Sequence, residues 1–230
     1  MLPVVIDKRM TCIAKCVRQD AILADIGTDH GKLPIYLAQT GKISKAVAAD
    51  INEMPLQKAK NNVKKYGLDG QIDTYLTDGL KGIERFSPTD VVIAGMGGEL
   101  IEQILQEQTI NKTGVKYILQ PMTKEESVRM FLCENGYTVT DEYIVEEGKI
   151  YQIICAEYTG EFTAMTPAEY LLGRINIEKN ERLLEKLADK VISRQKVKIA
   201  GRQKAGLSVE EDVRCLDELL VIKENCYGKR

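Results

Sequence analysis

The chain has 230 residues, a formal net charge of −2, 44% hydrophobic and 29% charged residues. These values describe a globular protein of one ordinary domain plus an appendage, or two small domains, large enough to bury a core without staples; no apolar run approaches the roughly 18–20 residues of a membrane span, and the opening Met1–Asp7 is too short and too soon charged for a secretory signal. The six cysteines (Cys12, Cys16, Cys133, Cys155, Cys215 and Cys226) contain no Cys-x-x-Cys pair and His30 is the only histidine, so no metal site is expected and reduced thiols suit a cytoplasmic location.

In chain order, residues 7–18 are predicted as a helix leading into a short apolar strand over 21–26, which ends in Asp25-Ile26-Gly27. A helix follows over 31–39, then a second strand over 45–51 ending at Asp50-Ile51. The next helix covers 53–66, with Pro55 tolerated in its first turn and Gly67 stopping it. A third strand over 72–76 closes on Asp78-Gly79. A fourth over 90–94 runs into Ala94-Gly95-Met96-Gly97-Gly98 and a helix to about Glu107. A fifth over 116–119 precedes Gln120-Pro121, and Thr123-Lys124-Glu125-Glu126 reads as a capping box for a helix ending near Asn135-Gly136. Two β-rich runs, 137–145 and 150–158, are separated only by Glu146-Glu147-Gly148-Lys149 and should form a hairpin.

Five strands alternating with helices imply parallel βαβ units, and the closing hairpin adds an antiparallel strand. Seven strands with a reversed last hairpin is the element order of a class I methyltransferase, a Rossmann-like α/β sheet, and differs from the six-stranded dinucleotide fold. After Gly160 the character changes. Thr166-Pro167-Ala168-Glu169 combines an N-cap, a first-turn proline and a capping acid, and one long helix is predicted to about Ala200, with Ile177, Leu184, Leu187 and Val191 at heptad spacing. Ser208-Val209-Glu210-Glu211 opens another helix, with Val209, Val213, Leu216 and Leu220 as its apolar stripe. The expectation is a Rossmann-like catalytic domain over residues 1–160 and a helical coiled-coil hairpin over 161–230.

Four segments carry candidate chemistry. In Asp25-Ile26-Gly27-Thr28-Asp29-His30-Gly31 the glycines let a ligand approach the backbone, and the following helix N-terminus attracts a negative group. The glycines are four apart, so the dinucleotide pattern G-x-G-x-x-G fails. The segment instead fits the methyltransferase pattern acid-x-Gly-x-Gly-x-Gly, with Asp29 in the place of the middle glycine. Asp25, Gly27, Thr28 and Gly31 are therefore candidate cofactor contacts. Asp50, with Ile51 beside it, can accept both hydroxyls of a ribose. Asp78-Gly79 stands where such folds face an adenine amino group; a plain Asp-Gly turn is the other reading. Ala94, Gly95, Met96 and Gly97 replace the Asn/Asp-Pro-Pro-aromatic segment of many base methyltransferases, so backbone rather than a polar side chain would line the transfer site.

The segments DIGTDHG, AADIN, YLTDGL and VVIAGMGGELI, in that order, together with ILQP and the basic C-terminal hairpin, resemble the bacterial tRNA (adenine(22)-N(1))-methyltransferase family over nearly the whole chain. The resemblance implies S-adenosyl-L-methionine as methyl donor, N1 of an adenine in the D-arm region of tRNA as acceptor, and a place for Arg9 near the site. N1 carries a lone pair, so no base is needed; catalysis needs alignment and stabilisation of the cation that develops on the adenine. Asp29 is the candidate carboxylate for that task and His30 a candidate to orient ligand or RNA. The bland readings are a helix cap for Asp29, a loop residue for His30 and a solvated helix residue for Arg9. Lys190, Arg194, Lys196, Lys198, Arg202 and Lys204 follow one another without an intervening acid and are candidate contacts to tRNA phosphates, against the alternative of a solvated face. A small-molecule methyltransferase would leave that basic stretch idle, and a non-catalytic coiled-coil adaptor would bind no cofactor. A monomer or weak homodimer without membrane or metal partners is expected.

Overall fold

The computed structural model describes residues 3–227; the ends of both expected domains, residues 1–2 and 228–230, lie outside them. Helix α1 (Lys8–Cys16) precedes strand β1 (Ala21–Ile26), and three βα steps follow: α2 (Lys32–Gln39), β2 (Ile43–Asp50), α3 (Glu53–Lys65), β3 (Ile72–Leu76), a 3₁₀ turn (Ile83–Phe86), β4 (Asp90–Met96) and α4 (Gly98–Gln106). Then come β5 (Lys116–Pro121), α5 (Glu125–Glu134) and the hairpin β6 (Tyr137–Glu147) and β7 (Lys149–Tyr158). The seven strands form one sheet of order β3-β2-β1-β4-β5-β7-β6. The first five run parallel, and β7 is antiparallel to both β5 and β6.

Helices cover both faces, which is why Leu23-Ala24 and Val91-Val92-Ile93 are continuous apolar runs rather than alternating ones. Asp90 is a fully buried exception. Its carboxylate accepts bonds from the Arg18 backbone N–H and side-chain Nε, both at 2.8 Å, so the buried charge is paired. Asp7 caps α1 by accepting from the Met10 N–H at 2.7 Å.

The capping box expected at Thr123 is absent. Lys124 takes a left-handed conformation (φ 57°) as the N-cap of α5, with no side-chain cap. The reason is the crossing of α4 and α5: the Gly98 N–H donates to Thr123 O at 3.0 Å, and a Cβ on Gly98 would lie 2.6 Å from Lys124 O.

The long helix expected from 166 to 200 is three helices, α6 (Pro167–Leu172), α7 (Arg174–Glu178) and α8 (Leu184–Lys204). The capping box at Thr166 and Glu169 does form. The break falls at Gly173 (φ 87°), where a Cβ would stand 2.5 Å from both carboxylate oxygens of Glu142. The chain turns there so that the Ile175 N–H donates to Glu142 Oε2 at 3.0 Å. A second interruption follows at Asn180 (φ 49°).

Helix α9 (Glu210–Tyr227) packs on α8, but with a different face from the expected stripe. Val213 and Leu220 are each 37% exposed, whereas Asp212, Cys215 and Leu219 are buried. Asp212 sets this rotation: it pairs with Lys198 at 2.8 Å and Arg202 at 3.1 Å on α8.

The helices after residue 160 seat on the sheet domain through a buried polar knot. Arg129 of α5, with no solvent exposure, donates to Glu142 Oε1 at 2.6 Å, Gln152 Oε1 at 2.8 Å and Tyr170 O at 2.8 Å. Around it, Ile144 of β6 shares an apolar cluster with Ala168, Leu172, Leu184 and Leu219.

Candidate active site

The sheet order reverses between β1 and β4, which leaves a crevice beyond the carboxyl ends of the strands, where open α/β sheets take ligands. A cavity of about 300 Å³ opens there. Its wall includes Arg9, Asp25, Gly27, Asp29, Ala94 and Gly95, so six of the residues singled out in the sequence converge on one space.

The loop after β1 is built from left-handed residues. Gly27, His30 and Gly31 have φ of 73°, 60° and 70°. Two backbone bonds to Ala49 O, from Gly27 N at 2.9 Å and Thr28 N at 3.0 Å, tie this loop to the end of β2. Asn62 holds the other end by donating to His30 O at 2.9 Å. The left-handed φ of 73° favours glycine at position 27, and a Cβ there would also push the Met96 methyl aside, at 2.2 Å.

Asp25 ends β1 as a buried carboxylate and accepts the Thr28 hydroxyl at 2.6 Å. Burial pushes its pKa up to about 6; the Thr28 bond lowers it in part, and the charges of Asp29 and Asp50 add to the rise. Asp29 is exposed at the rim. Its carboxylate lies 3.0 Å from Lys32 Nζ and 3.7 Å from His30 Nε2. The N-cap of α2 is Gly31, and the Asp29 carboxylate pairs with these two side chains rather than capping the helix backbone.

Arg9 reaches the cavity from α1. It donates to Gln120 Oε1 at 2.6 Å, and its guanidinium stands 5.3 Å from the centre of the Tyr151 ring. Gln120 is fully buried and donates in turn to Pro121 O at 2.7 Å. Gln120 and Tyr151, and Met10, Ile13, Leu33 and Met122 on the cavity wall, have no role in the sequence analysis. The one available signal was Gln120-Pro121 itself, a polar residue closing an apolar strand.

The remaining candidates do not line this cavity. Asp50 ends β2 and accepts from the Asn52 N–H at 2.7 Å, with Ile51 exposed beside it. Asp78 pairs with Lys81 at 2.9 Å, and with Gly79 it borders a crevice against Leu100 and Ile104 of α4. Thr28, Gly31, Met96 and Gly97 shape the two loops from behind; Met96 sits at an irregularity in β4 and Gly97 caps α4. The basic series is on α8 and does not line this cavity. Lys198 and Arg202 are engaged by Asp212, whereas Lys190, Arg194, Lys196 and Lys204 are exposed. Among the described residues no group of His, Cys, Asp and Glu is arranged to hold a metal ion, and no helix is long and apolar enough to cross a membrane.

A raised carboxylate makes a prediction about the protein without ligand. The folded pKa of Asp25 lies above its unfolded value, so its contribution to stability is present below about pH 4 and is lost as pH rises through about 6. Asp25→Asn should therefore raise the melting temperature at pH 8 and leave it unchanged near pH 4. The gain at pH 8 has a ceiling of roughly 3 kcal/mol, at about 1.4 kcal/mol per pKa unit. Equal melting shifts at both pH values would remove ionisation as the cause.

The seven-stranded order with its reversed last hairpin, and the acidic glycine loop at the reversal point, define a class I methyltransferase fold. Residues 6–154 match the family described as a methyltransferase domain. The tRNA (adenine(22)-N(1))-methyltransferase of Bacillus subtilis is 38% identical over 154 residues, a segment covering 66% of this chain and 65% of that protein. A putative tRNA methyltransferase of Mycoplasma pneumoniae is 33% identical over 72% of this chain and 78% of its own length. The crystal structure of Streptococcus pneumoniae Sp1610, a putative tRNA (m1A22) methyltransferase in complex with S-adenosyl-L-methionine, superposes with a TM-score of 0.83 at 31% identity, covering 94% of this chain and 100% of that one. The chain belongs to the bacterial tRNA (adenine(22)-N(1))-methyltransferase family.

Proposed function

We propose that the protein transfers a methyl group from S-adenosyl-L-methionine to N1 of an adenine in tRNA, at position 22 as in the name of the Bacillus relative. The observation that carries this reading is the cavity at the sheet reversal, where Asp25, Asp29 and Arg9 meet two glycine-bearing loops. These residues fit the donor. Asp25 and the loop from Gly27 to Gly31, with Thr28, suit its amino-acid end. Asp50 beside Ile51 suits the ribose hydroxyls, and Asp78-Gly79 suits the adenine. Ala94, Gly95, Met96 and Gly97 line the acceptor side with backbone.

The bound donor supplies an electrophilic methyl group on a sulfonium. The residues of this chain then align, exclude water and stabilise charge. Asp29, at the cavity rim, faces the charge that appears on the methylated adenine. Arg9, held by Gln120 and Tyr151, is placed to orient an RNA phosphate or the base edge. His30 touches Asp29 and supports its orientation. A cation bound beside Asp25 favours its ionised form, so donor affinity should rise with pH through about 6.

We assign tRNA contact to the helical part, residues 161–230, where Lys190, Arg194, Lys196 and Lys204 present exposed charge and Lys198 and Arg202 flank Asp212. A cytoplasmic location follows from the substrate. The decisive measurement is nucleoside mass spectrometry of tRNA incubated with the protein and labelled donor. The expected product is 1-methyladenosine. Label in small acceptors but none in tRNA would favour the small-molecule alternative.

A further inference from the structure

A second cavity, of about 650 Å³, lies between the start of α5, α6 and the α8–α9 pair. That volume is within the range of small-ligand sites. Its apolar wall includes Met130, Met165 and Tyr170, and Arg194 stands on its lining with the acids Glu126 and Glu211. Arg194 is exposed and Glu126 half-buried; among the described residues neither side chain takes part in a hydrogen bond or ion pair, although Glu126 lies in the field of Lys124. The other cation on the lining, Lys198, is already occupied by Asp212 at 2.8 Å.

The position matters as much as the lining. Met122 lines the active-site cavity and Glu126 lines this one. Four residues separate them, at most about 14 Å of fully extended chain. The two cavities are therefore neighbours, and one strand of nucleic acid can reach both.

The chemistry of this lining matches a nucleotide. The flat apolar face of a base suits Met130 and Tyr170, an exocyclic amino group suits the Glu126 carboxylate, and a phosphate suits the Arg194 guanidinium. Single-stranded RNA is recognised in this manner, by unstacked bases laid on aromatic side chains and guanidinium planes. We propose that the cavity between α5 and the α8–α9 pair is a second nucleotide subsite, which takes one unstacked nucleotide of the RNA near the one that enters the transfer site. Glu126 would favour bases with an amino group over uracil. The proposal rests on the tRNA reading above.

Two variants test it. Met130→Trp fills the cavity without changing charge, at a side chain that is 42% exposed and so tolerant of size. Arg194→Ala removes the phosphate partner. The affinity for tRNA is measured across a salt series, alongside donor affinity and methylation of tRNA by the wild type. Both variants should bind the donor as the wild type does. Met130→Trp should weaken tRNA binding about 10-fold with an unchanged salt slope, since desolvated stacking contributes about 1–3 kcal/mol per base. Arg194→Ala should weaken it and also lower the slope by roughly 0.7–0.9, one phosphate contact. Ultraviolet crosslinking should attach a nucleotide to the peptide carrying Met165 and Tyr170. A wild type that methylates tRNA, with a Met130→Trp variant that binds it equally well or better, overturns the subsite and leaves the function standing. A wild type that does not methylate tRNA overturns both.

Discussion

Asp29→Asn is expected to slow methyl transfer by about 10²-fold under single-turnover conditions with saturating donor and tRNA. The adenine is neutral before transfer and cationic after it, so a fixed carboxylate at the rim stabilises the transition state more than the ground state. Removing one preorganised group of this kind typically costs about 10²–10³ in rate. Two features of the site place the effect at the lower end. Asp29 is exposed, and Lys32 at 3.0 Å partly neutralises it. Asparagine keeps the shape and one acceptor oxygen and removes only the charge. Donor affinity should change less, because Asp25, Asp50 and backbone supply most of the proposed contacts. Near-normal rates for both Asp29→Asn and Asp29→Ala would assign the electrostatic role to another group.

Glu142→Leu should be the most destabilising single change at the junction of the two parts. It leaves the Arg129 guanidinium buried without its counter-charge, a situation that typically costs about 3–5 kcal/mol. For a chain of this size that is a fall of roughly 10 °C in melting temperature. The double variant Arg129→Met with Glu142→Leu should recover part of the loss. It should not recover all of it, because Gln152 Oε1, Tyr170 O and the Ile175 N–H lose their partners. A double-mutant cycle isolates the pairwise term. Hydrogen exchange should show α6 and α7 opening before the sheet. A single variant within about 1 kcal/mol of wild type would mean that water satisfies Arg129 and that the pair does not hold the helices down.

What the sequence made legible followed from local chemistry. The apolar strands, the acids that end them and the glycines beyond were readable because each strand is buried on both faces and each loop needs backbone freedom. Asp25, Gly27, Asp29 and Gly95 therefore appear on the cavity wall where their spacing placed them. The parts that were not legible depend on partners distant in the chain. Arg129 reads as a surface helix residue until Glu142, 13 residues on, is folded against it. Gly173 reads as one tolerated glycine in a long helix until the same Glu142 occupies the space of its Cβ. The stripe Val213, Leu216 and Leu220 reads as a seam, yet Asp212 and Cys215 face α8, because two cations on that helix attract the acid. Arg9 entered through resemblance alone; its fixed position depends on Gln120, 111 residues away.

Helix α5 joins the loop side of the sheet to the buried knot. Its start is locked to α4 at Gly98, beside the transfer site; its middle carries Arg129 into the knot under α6. Ten residues at 1.5 Å each make it a strut of about 15 Å. The spacing between the cavity at the sheet reversal and the knot under α6 is thereby set by a residue count. One residue added to α5 before Arg129 would advance that side chain by about 1.5 Å and swing it through roughly 100°, away from Glu142. If the basic helices hold tRNA as proposed, this helix is the gauge against which the substrate is measured.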